Sequence, residues 1–140
     1  MEIDKRIVKF IKKHHVLTLS TSIENKPYSA NCFYAYCEKE NILIFTSEKE
    51  TKHISDARKN NYVSGTIVLE TKIIGKIQGI QFNGYIFESQ EEKYKEHKNI
   101  YLKKFPFAII KQTPLWYVEL TFLKFTDNRL GFGKKLIWNK

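Results

Sequence analysis

Thr51, Lys52 and His53 are the residues whose types and order first suggest chemistry, because they place a hydroxyl, an ammonium and an imidazole side by side. Each group can contact a phosphate, and the imidazole can change charge near neutral pH. If a helix begins here, its first amides also lack internal acceptors and carry partial positive charge. Such a helix start binds an anion through the backbone, and these side chains would add to it. The alternative is a solvated helix start with an ordinary surface lysine.

The flanking sequence predicts that helix start. Ile42–Thr46 is β-branched and aromatic and indicates a strand. Ser47 and Glu50 have the spacing of a capping box, which predicts a helix that runs to about Asn60. A second apolar, β-branched run, Tyr62–Leu69, indicates that another strand follows.

Length and composition predict one globular domain spanning residues 1–140. The 140 residues are 42% hydrophobic and 14% aromatic, with 6 Gly and 3 Pro, so the chain can bury a core of its own. The net charge of +9 favours an anionic partner, such as a nucleic acid, a phosphorylated cofactor or an acidic membrane surface. Because the basic residues are scattered, discrete phosphate contacts are favoured over a polybasic arm.

The cysteines and the apolar runs predict a cytoplasmic protein. Cys32 and Cys37 are an odd number of positions apart in one predicted strand, so they lie on opposite faces and we expect no disulfide between them. Reduced thiols are typical of the cytoplasm. No apolar run has the length of a membrane span or the pattern of a signal peptide, and we predict no membrane partner.

The remaining pattern predicts about six strands and three helices, joined mostly by short turns. Glu2–His14 has apolar residues at helical spacing and a basic opposite face; we expect this helix to lie across the end of a barrel, although that face could contact a membrane or nucleic acid. Ser89–Glu92 has the form of a second capping box and predicts a helix up to Pro106. Strands that follow one another through turns indicate a mainly β fold with attached helices (α+β), an antiparallel barrel. The other predicted strands are Val16–Ser22, Tyr28–Tyr36, Lys76–Glu88 and Leu115–Phe125, and residues 126–140 are a tail.

The order of these elements resembles the pyridoxamine-phosphate-oxidase-like family of FMN-binding split barrels. The resemblance is carried by VLTLSTSIENKPYSANCFYAY, FTSEKETKHISDARKNNYVSGTI and GIQFNGYIFE, in which Gly84 matches a family glycine. The tail FTDNRLGFGKKLIW resembles a YhbP-like subgroup. The resemblance implies a six-stranded antiparallel split β-barrel that forms a homodimer, with FMN in a groove between the protomers.

Carried over by position, the resemblance implies a set of FMN-binding residues, in which Thr51, Lys52 and His53 bind the phosphate. A family glutamine near the flavin ring matches Gln78 or Gln81; strand alternation allows only one to face the ring, and we favour Gln78. In the tail, Lys134 and Trp138 could close over a neighbour's flavin, or the tail lies at the surface with its tryptophan buried. The isoalloxazine and ribityl groups would be lined by Tyr28, Ser29, Ala30, Asn31, Cys32, Phe45, Thr46 and Ser47.

The sequence departs from the oxidase of this family at its substrate and phosphate sites. The oxidase is arginine-rich at the phosphate, and its C-terminal substrate arginines have no clear equivalent here beyond Arg129. We therefore do not expect vitamin oxidation. The first hypothesis is a small FMN-dependent oxidoreductase with a small-molecule substrate, in which the flavin supplies the redox chemistry and no catalytic side chain is specified.

Two alternatives remain open. A basic barrel could bind single-stranded nucleic acid, with Tyr28, Phe33, Tyr34 and Tyr36 as a stacking platform, although we expect these aromatics to pack inside or at a dimer interface. A split barrel could also bind haem or a deazaflavin, but a phosphate site at a helix start favours FMN over haem. We predict no metal site, because neighbouring residues such as His14 and His15 on a helix point in different directions and no HExxH spacing occurs.

Overall fold

Seven strands and three α-helices form the structure, a computed structural model that describes residues 2–110 and 112–140. Three short 3-10 turns lie at Ile74–Lys76, Pro106–Ile110 and Asn128–Leu130. In chain order the helices and strands are α1 (Lys5–Lys13), β1 (Val16–Ile23), β2 (Lys26–Cys37), β3 (Ile42–Thr46), α2 (Lys52–Lys59), β4 (Tyr62–Val68), β5 (Gln78–Glu88), α3 (Glu92–Lys104), β6 (Leu115–Asp127) and β7 (Lys135–Asn139).

Six of these strands close into an antiparallel barrel. The strand order is β3, β2, β1, β4, β5, β6, and β3 pairs again with β6. One edge of β6 pairs with β5, and on its other edge Leu115–Glu119 pairs with β3. Further along that second edge, Phe122–Thr126 pairs with β7. The predicted antiparallel barrel is confirmed, and β7 corrects the prediction that residues 126–140 are only a tail.

The helices α1 and α2 cover opposite ends of the barrel. In α1, Ile7, Phe10 and Ile11 are at most 4% exposed and join the main core, while the lysines of the other face remain in solvent. Ile54 and Ala57 of α2 enter the same core. Burying the apolar face of each helix provides the hydrophobic stabilisation that an open barrel end would lose. The expectation that the first helix lies across a barrel end is therefore confirmed.

The third helix, α3, packs on the outside of the barrel over β2, β3 and β6. There Tyr101 of α3 joins a second apolar cluster that includes Cys37 and Ile44, whereas Cys32 belongs to the main core. Both cysteines are free thiols, as expected from their odd spacing. No helix within residues 2–110 and 112–140 has the length and apolar character needed to cross a bilayer.

Candidate functional site

The first turn of α2 brings the predicted phosphate-binding residues together at the end of β3. Thr51 is the N-cap residue, with extended backbone angles and no side-chain cap bond. The amides of Lys52, His53 and Ile54 lie in the first turn, where a helix supplies no acceptor. Among the described residues, none accepts a hydrogen bond from these three amides. The α2 N-terminus therefore has free donors and a partial positive charge.

Ser47 does not form the predicted capping box. Its Oγ lies 2.7 Å from His53 Nε2 and 3.3 Å from Thr51 Oγ1, so it bonds to side chains instead of to the amides of the helix. The hydroxyl of Thr51 donates to the Glu48 carbonyl at 2.9 Å, which places Glu48 to Thr51 in a turn before the helix. Burial lowers the pKa of the His53 imidazole below its ordinary value. His53 is therefore neutral at neutral pH and would contact an anion as a hydrogen-bond donor.

Lys52 supplies the cation of the α2 N-terminus, and Asp56 holds it in place. Its Nζ lies 2.7 Å from Asp56 Oδ2 and 4.9 Å from the centroid of the Tyr28 ring. The Lys52 side chain is 59% exposed, whereas that of Asp56 is 10% exposed. The ammonium thus remains open to a ligand. Asp56 was not predicted as a site residue, although its i,i+4 spacing from Lys52 is the signal that could have identified it.

The predicted lining segment of β2 is divided between two faces of the strand. Cys32 is buried in the main core, so its thiol cannot line an outer groove. Ser29 and Asn31 face outward; Ser29 Oγ lies 2.9 Å from Ser20 Oγ, and Asn31 Oδ1 accepts a hydrogen bond from Thr18. Tyr28 and Ala30 have the opposite parity, and Tyr28 lies beside Lys52. Strand alternation explains the division.

The predicted lining segment of β3 ends at the α2 N-terminus, but one of its side chains is unavailable. Phe45 is completely buried in the core, so only its backbone could contact a ligand. Thr46 and Ser47 are partly exposed where the strand ends. The indole of Trp116 donates to the Ser47 carbonyl at 2.9 Å and fixes this corner against β6.

The two candidate glutamines have different surroundings. Gln78 has the inward parity of Ile80 and lines a cavity of about 210 Å³ beside α1, at the opposite end of β5 from α2. Gln81 is exposed on the outer face of β5, between Thr66 of β4 and Lys124 of β6. Gln81, rather than the favoured Gln78, therefore faces outward.

The C-terminal residues lie far from the α2 N-terminus of the same chain. Trp138 is 7% exposed and packs in the main core opposite Leu123, so it is withdrawn from the site. Of the two possibilities for the tail, the structure therefore has the one in which the tryptophan is buried. Lys134 is exposed in the turn before β7, at the end of the barrel covered by α1. It could reach a flavin only on another protomer.

The outer surface of β1, β4, β5 and the first half of β2 is covered by no helix within the described residues; we call it the open sheet face. Its centre is polar, and its ends carry exposed apolar side chains such as Phe33 at 60%, Val68 at 63% and Tyr62 at 50%. A cavity of about 510 Å³ lies on it. Its central side chains are Thr18, Ser20, Ser29, Asn31, Ser64, Thr66, Gln81 and Asn83.

The four aromatics proposed as a nucleic-acid platform are not on one surface. Tyr34 is fully buried and its hydroxyl donates to the Ile11 carbonyl, while Tyr36 is 9% exposed. Tyr28 and Phe33 remain exposed but have opposite strand parity. Tyr34 and Tyr36 pack inside, as expected, because they share the inward strand parity of Cys32, so they cannot serve as a stacking platform. Within the described residues, no group of three or more His, Cys, Asp or Glu side chains is arranged to hold a metal.

Comparison with curated proteins finds close sequence relatives along nearly the whole chain. A UPF0306 protein of Photorhabdus laumondii is 38% identical over 134 residues, covering 96% of this chain and 94% of the relative. A UPF0306 protein of Yersinia pestis is 36% identical over 134 residues and covers 96% and 91%. No protein-family model matches the chain.

Solved structures with the same fold share little sequence with this chain. A haem-binding protein from Mycobacterium smegmatis has a TM-score of 0.77 at 11% identity, covering 99% of this chain and 59% of the larger protein. An FAD-binding protein from the same organism has a TM-score of 0.71 at 14% identity and covers 88% and 94%. A proposed pyridoxamine 5′-phosphate oxidase from Listeria innocua has a TM-score of 0.65 at 16% identity and covers 97% and 98%. The fold is that of the pyridoxamine-phosphate-oxidase-like split barrels.

Proposed function

The chain belongs to the UPF0306 family and has a pyridoxamine-phosphate-oxidase-like split barrel, and from these premises we propose that it binds FMN. The observation that carries the proposal is the α2 N-terminus, where three free amides lie next to Lys52. These groups fit a phosphate, which accepts several hydrogen bonds and is attracted by the helix dipole. The flavin- and haem-binding neighbours of this fold support a cofactor of that size.

The rest of the cofactor would extend along the open sheet face. Tyr28 lies next to Lys52, and Ser29 and Asn31 continue from it along β2 with polar side chains directed outward. Gln81 offers an amide on the same face. These groups suit the polar ribityl chain and the hydrogen-bonding edge of a flavin ring. We therefore assign Thr51, Lys52 and His53 to the phosphate and the outward residues of β2 and β5 to the remainder.

We further propose that a second copy of the chain covers the open sheet face. The face has a polar centre and exposed apolar ends, a composition like that of many protein interfaces. A homodimer would enclose the flavin and could bring Lys134 of one protomer to the site of the other. The bound flavin would supply hydride or electron transfer to a small-molecule substrate, while the chain supplies position and electrostatics.

Purification tests the cofactor directly. We expect a yellow protein that releases FMN on heating, with the released molecule identified by its mass. Anaerobic mixing with reduced nicotinamides should then bleach the flavin if the protein is an oxidoreductase. A colourless protein that does not bind added FMN would contradict the proposal. An absorption spectrum of haem or of a deazaflavin would also contradict it and would identify that group as the bound cofactor.

Lys52→Ala tests the phosphate contact. A charge-assisted hydrogen bond contributes about 1.5 to 3 kcal/mol, so FMN affinity should fall about 10- to 100-fold in a fluorescence titration. Lys59→Ala is the matched control, because it removes an exposed lysine at the other end of α2. Asp56→Asn keeps Lys52 but removes its counter-ion, so this variant should bind FMN at least as tightly as the wild type. Equal losses in K52A and K59A would show that Lys52 has no specific role.

A further inference from the structure

A cavity of about 440 Å³ lies on the side of the barrel covered by α3, between the C-terminal parts of α1 and α3 and the turn after β2. Its floor is apolar and includes Ala35 and Ile100, and four ammonium groups surround it. Glu38 also lines the cavity, but it forms an ion pair with Lys12. The cavity is therefore an apolar pocket with a basic rim. The four lysines are Lys12, Lys39, Lys103 and Lys104.

Lys104 differs from the other three lysines because its ammonium is partly buried without a counter-ion. Its Nζ donates to the carbonyl of His14 and lies 4.3 Å from the centroid of the Tyr34 ring. No carboxylate within the described part of the chain forms an ion pair with it. Burial lowers the pKa of this amine to about 8. A carbonyl and a ring face compensate only part of the cost of removing a charge from water.

We propose that this cavity binds a small organic carboxylate, whose apolar body packs on the floor and whose carboxylate contacts Lys104. The carboxylate would provide the negative charge that Lys104 lacks, and the partial burial of the ammonium would strengthen the ion pair relative to one in open solvent. Ala35 and Ile100 would be withdrawn from water by the apolar part of the ligand. The site lies on the α3 side of the barrel, so it is separate from the open sheet face and does not depend on the proposed flavin.

Calorimetric titration with benzoate tests this proposal on the protein as purified. Benzoate should bind saturably, and benzamide, which has the same shape without the charge, should bind at least tenfold more weakly. Lys104→Met keeps most of the aliphatic stem but removes the ammonium that lies over Tyr34, and it should weaken benzoate binding at least tenfold. Lys95→Met, at an exposed position of the same helix, is the control and should bind benzoate like the wild type. The proposal is overturned if benzamide binds as well as benzoate, or if K104M binds benzoate unchanged.

A second measurement follows the titration of Lys104 in the wild-type protein, so it does not depend on the folding of the Lys104→Met variant. In protein labelled with ¹³C at the lysine Cε, a pH titration should show the pKa of Lys104 rising towards its ordinary value of 10.5 when benzoate is added. The same shift should occur in the K52A variant, whether or not that variant retains flavin. An unchanged Lys104 titration at saturating benzoate would contradict the assignment of this lysine as the ligand contact.

Discussion

Asp56 shows how one side chain sets the electrostatics of the α2 N-terminus. Its carboxylate lies one helical turn after Lys52 and holds the ammonium close to Tyr28. The pair leaves little net charge on the side chains, so the free amides of the first turn supply much of the attraction for an anion. A phosphate would compete with Asp56 for the ammonium. We therefore expect FMN affinity to fall with rising salt less steeply than a cluster of unpaired lysines would produce.

Gly65 is the position where a single added methyl group should damage the barrel most clearly. A Cβ there would lie 2.1 Å from the Thr18 carbonyl oxygen and 2.3 Å from Phe82 Cζ, whereas one at Gly75 would meet no atom within 4 Å. Gly65→Ala should lower the free energy of unfolding by at least about 2 kcal/mol. Gly75→Ala is the control and should leave it unchanged. Urea titrations of both variants provide the measurement, and equal stability of the two would contradict the described packing of β4 against β1.

The sequence predicts the proximity of Thr51, Lys52 and His53 because these residues are adjacent in the chain. It also predicts the faces of β5, since a regular strand alternates. It does not predict which face of β5 is covered, and the choice between Gln78 and Gln81 depends on that. The sequence leaves two possibilities for Trp138, over a flavin or buried, and the pairing of β7 with β6 places the indole in the core.

At the scale of elements, both predicted capping boxes are wrong in the same way. Ser47 bonds to His53, and Ser89 Oγ lies 2.7 Å from His97 Nδ1. In each case a serine that precedes a helix bonds to a histidine within that helix, and the helix begins without a side-chain cap. The Ser-x-x-Glu pattern still indicated that helices follow, because these residues are typical of helix starts whichever partner the serine finds.

His97 makes the docking of α3 sensitive to pH. It is fully buried, and among the described residues its Nε2 has no hydrogen-bond partner. The Tyr117 ring meets it edge-on at 4.9 Å between centroids. Burial lowers the pKa of His97 from 6.5; Glu40 and Glu96 act in the opposite direction, and Lys93 reinforces the lowering. Because the folded state favours the neutral imidazole, its stability is complete above pH 6.5 and decreases as the pH falls below that value.

The effect can be isolated with His97→Leu. Protonation of His97 on unfolding should lower the unfolding free energy of the wild type by up to about 1.4 kcal/mol for each pH unit below 6.5. Burial also lowers the pKa of His14 and His53, so both proteins should show some decrease. The decrease in H97L should therefore be smaller than in the wild type. Urea unfolding at pH 7.5 and 5.5 measures the difference, and parallel pH curves for H97L and the wild type would show that His97 does not titrate on unfolding.

At the scale of the whole molecule, the three helices of the described residues cover three parts of the barrel and leave one side uncovered. α1 and α2 bury the barrel ends, and α3 buries the outer surface of β3, of the second half of β2 and of the first part of β6. The closure of the barrel through β3 and β6 joins segments that are distant in the chain, so no local pattern reveals it. The antiparallel class is nevertheless predictable, because a short turn can join two neighbouring strands only when they are antiparallel. We propose that a second copy of the chain covers the open sheet face, and the sequence implies such a partner only through the family resemblance.

The proposed homodimer leads to a prediction for the open sheet face. Thr66 is exposed at its centre, between Thr18 and Gln81. Thr66→Arg should place two copies of a large charge in the interface, which should shift the protein from dimer to monomer in light scattering and release its flavin. Glu96→Arg, on the exposed side of α3, introduces the same residue away from that face and should remain dimeric. If T66R remains a dimer with bound flavin, the interface lies elsewhere.

The central claim is that the α2 N-terminus holds the phosphate of a flavin, and the affinities of FMN and riboflavin test it most directly because these ligands differ only in that phosphate. We predict that the wild type binds FMN at least tenfold more tightly than riboflavin, and that Lys52→Ala narrows this ratio while K59A preserves it. Riboflavin affinity itself should be nearly the same in all three proteins. Equal affinities of the wild type for FMN and riboflavin would contradict the account.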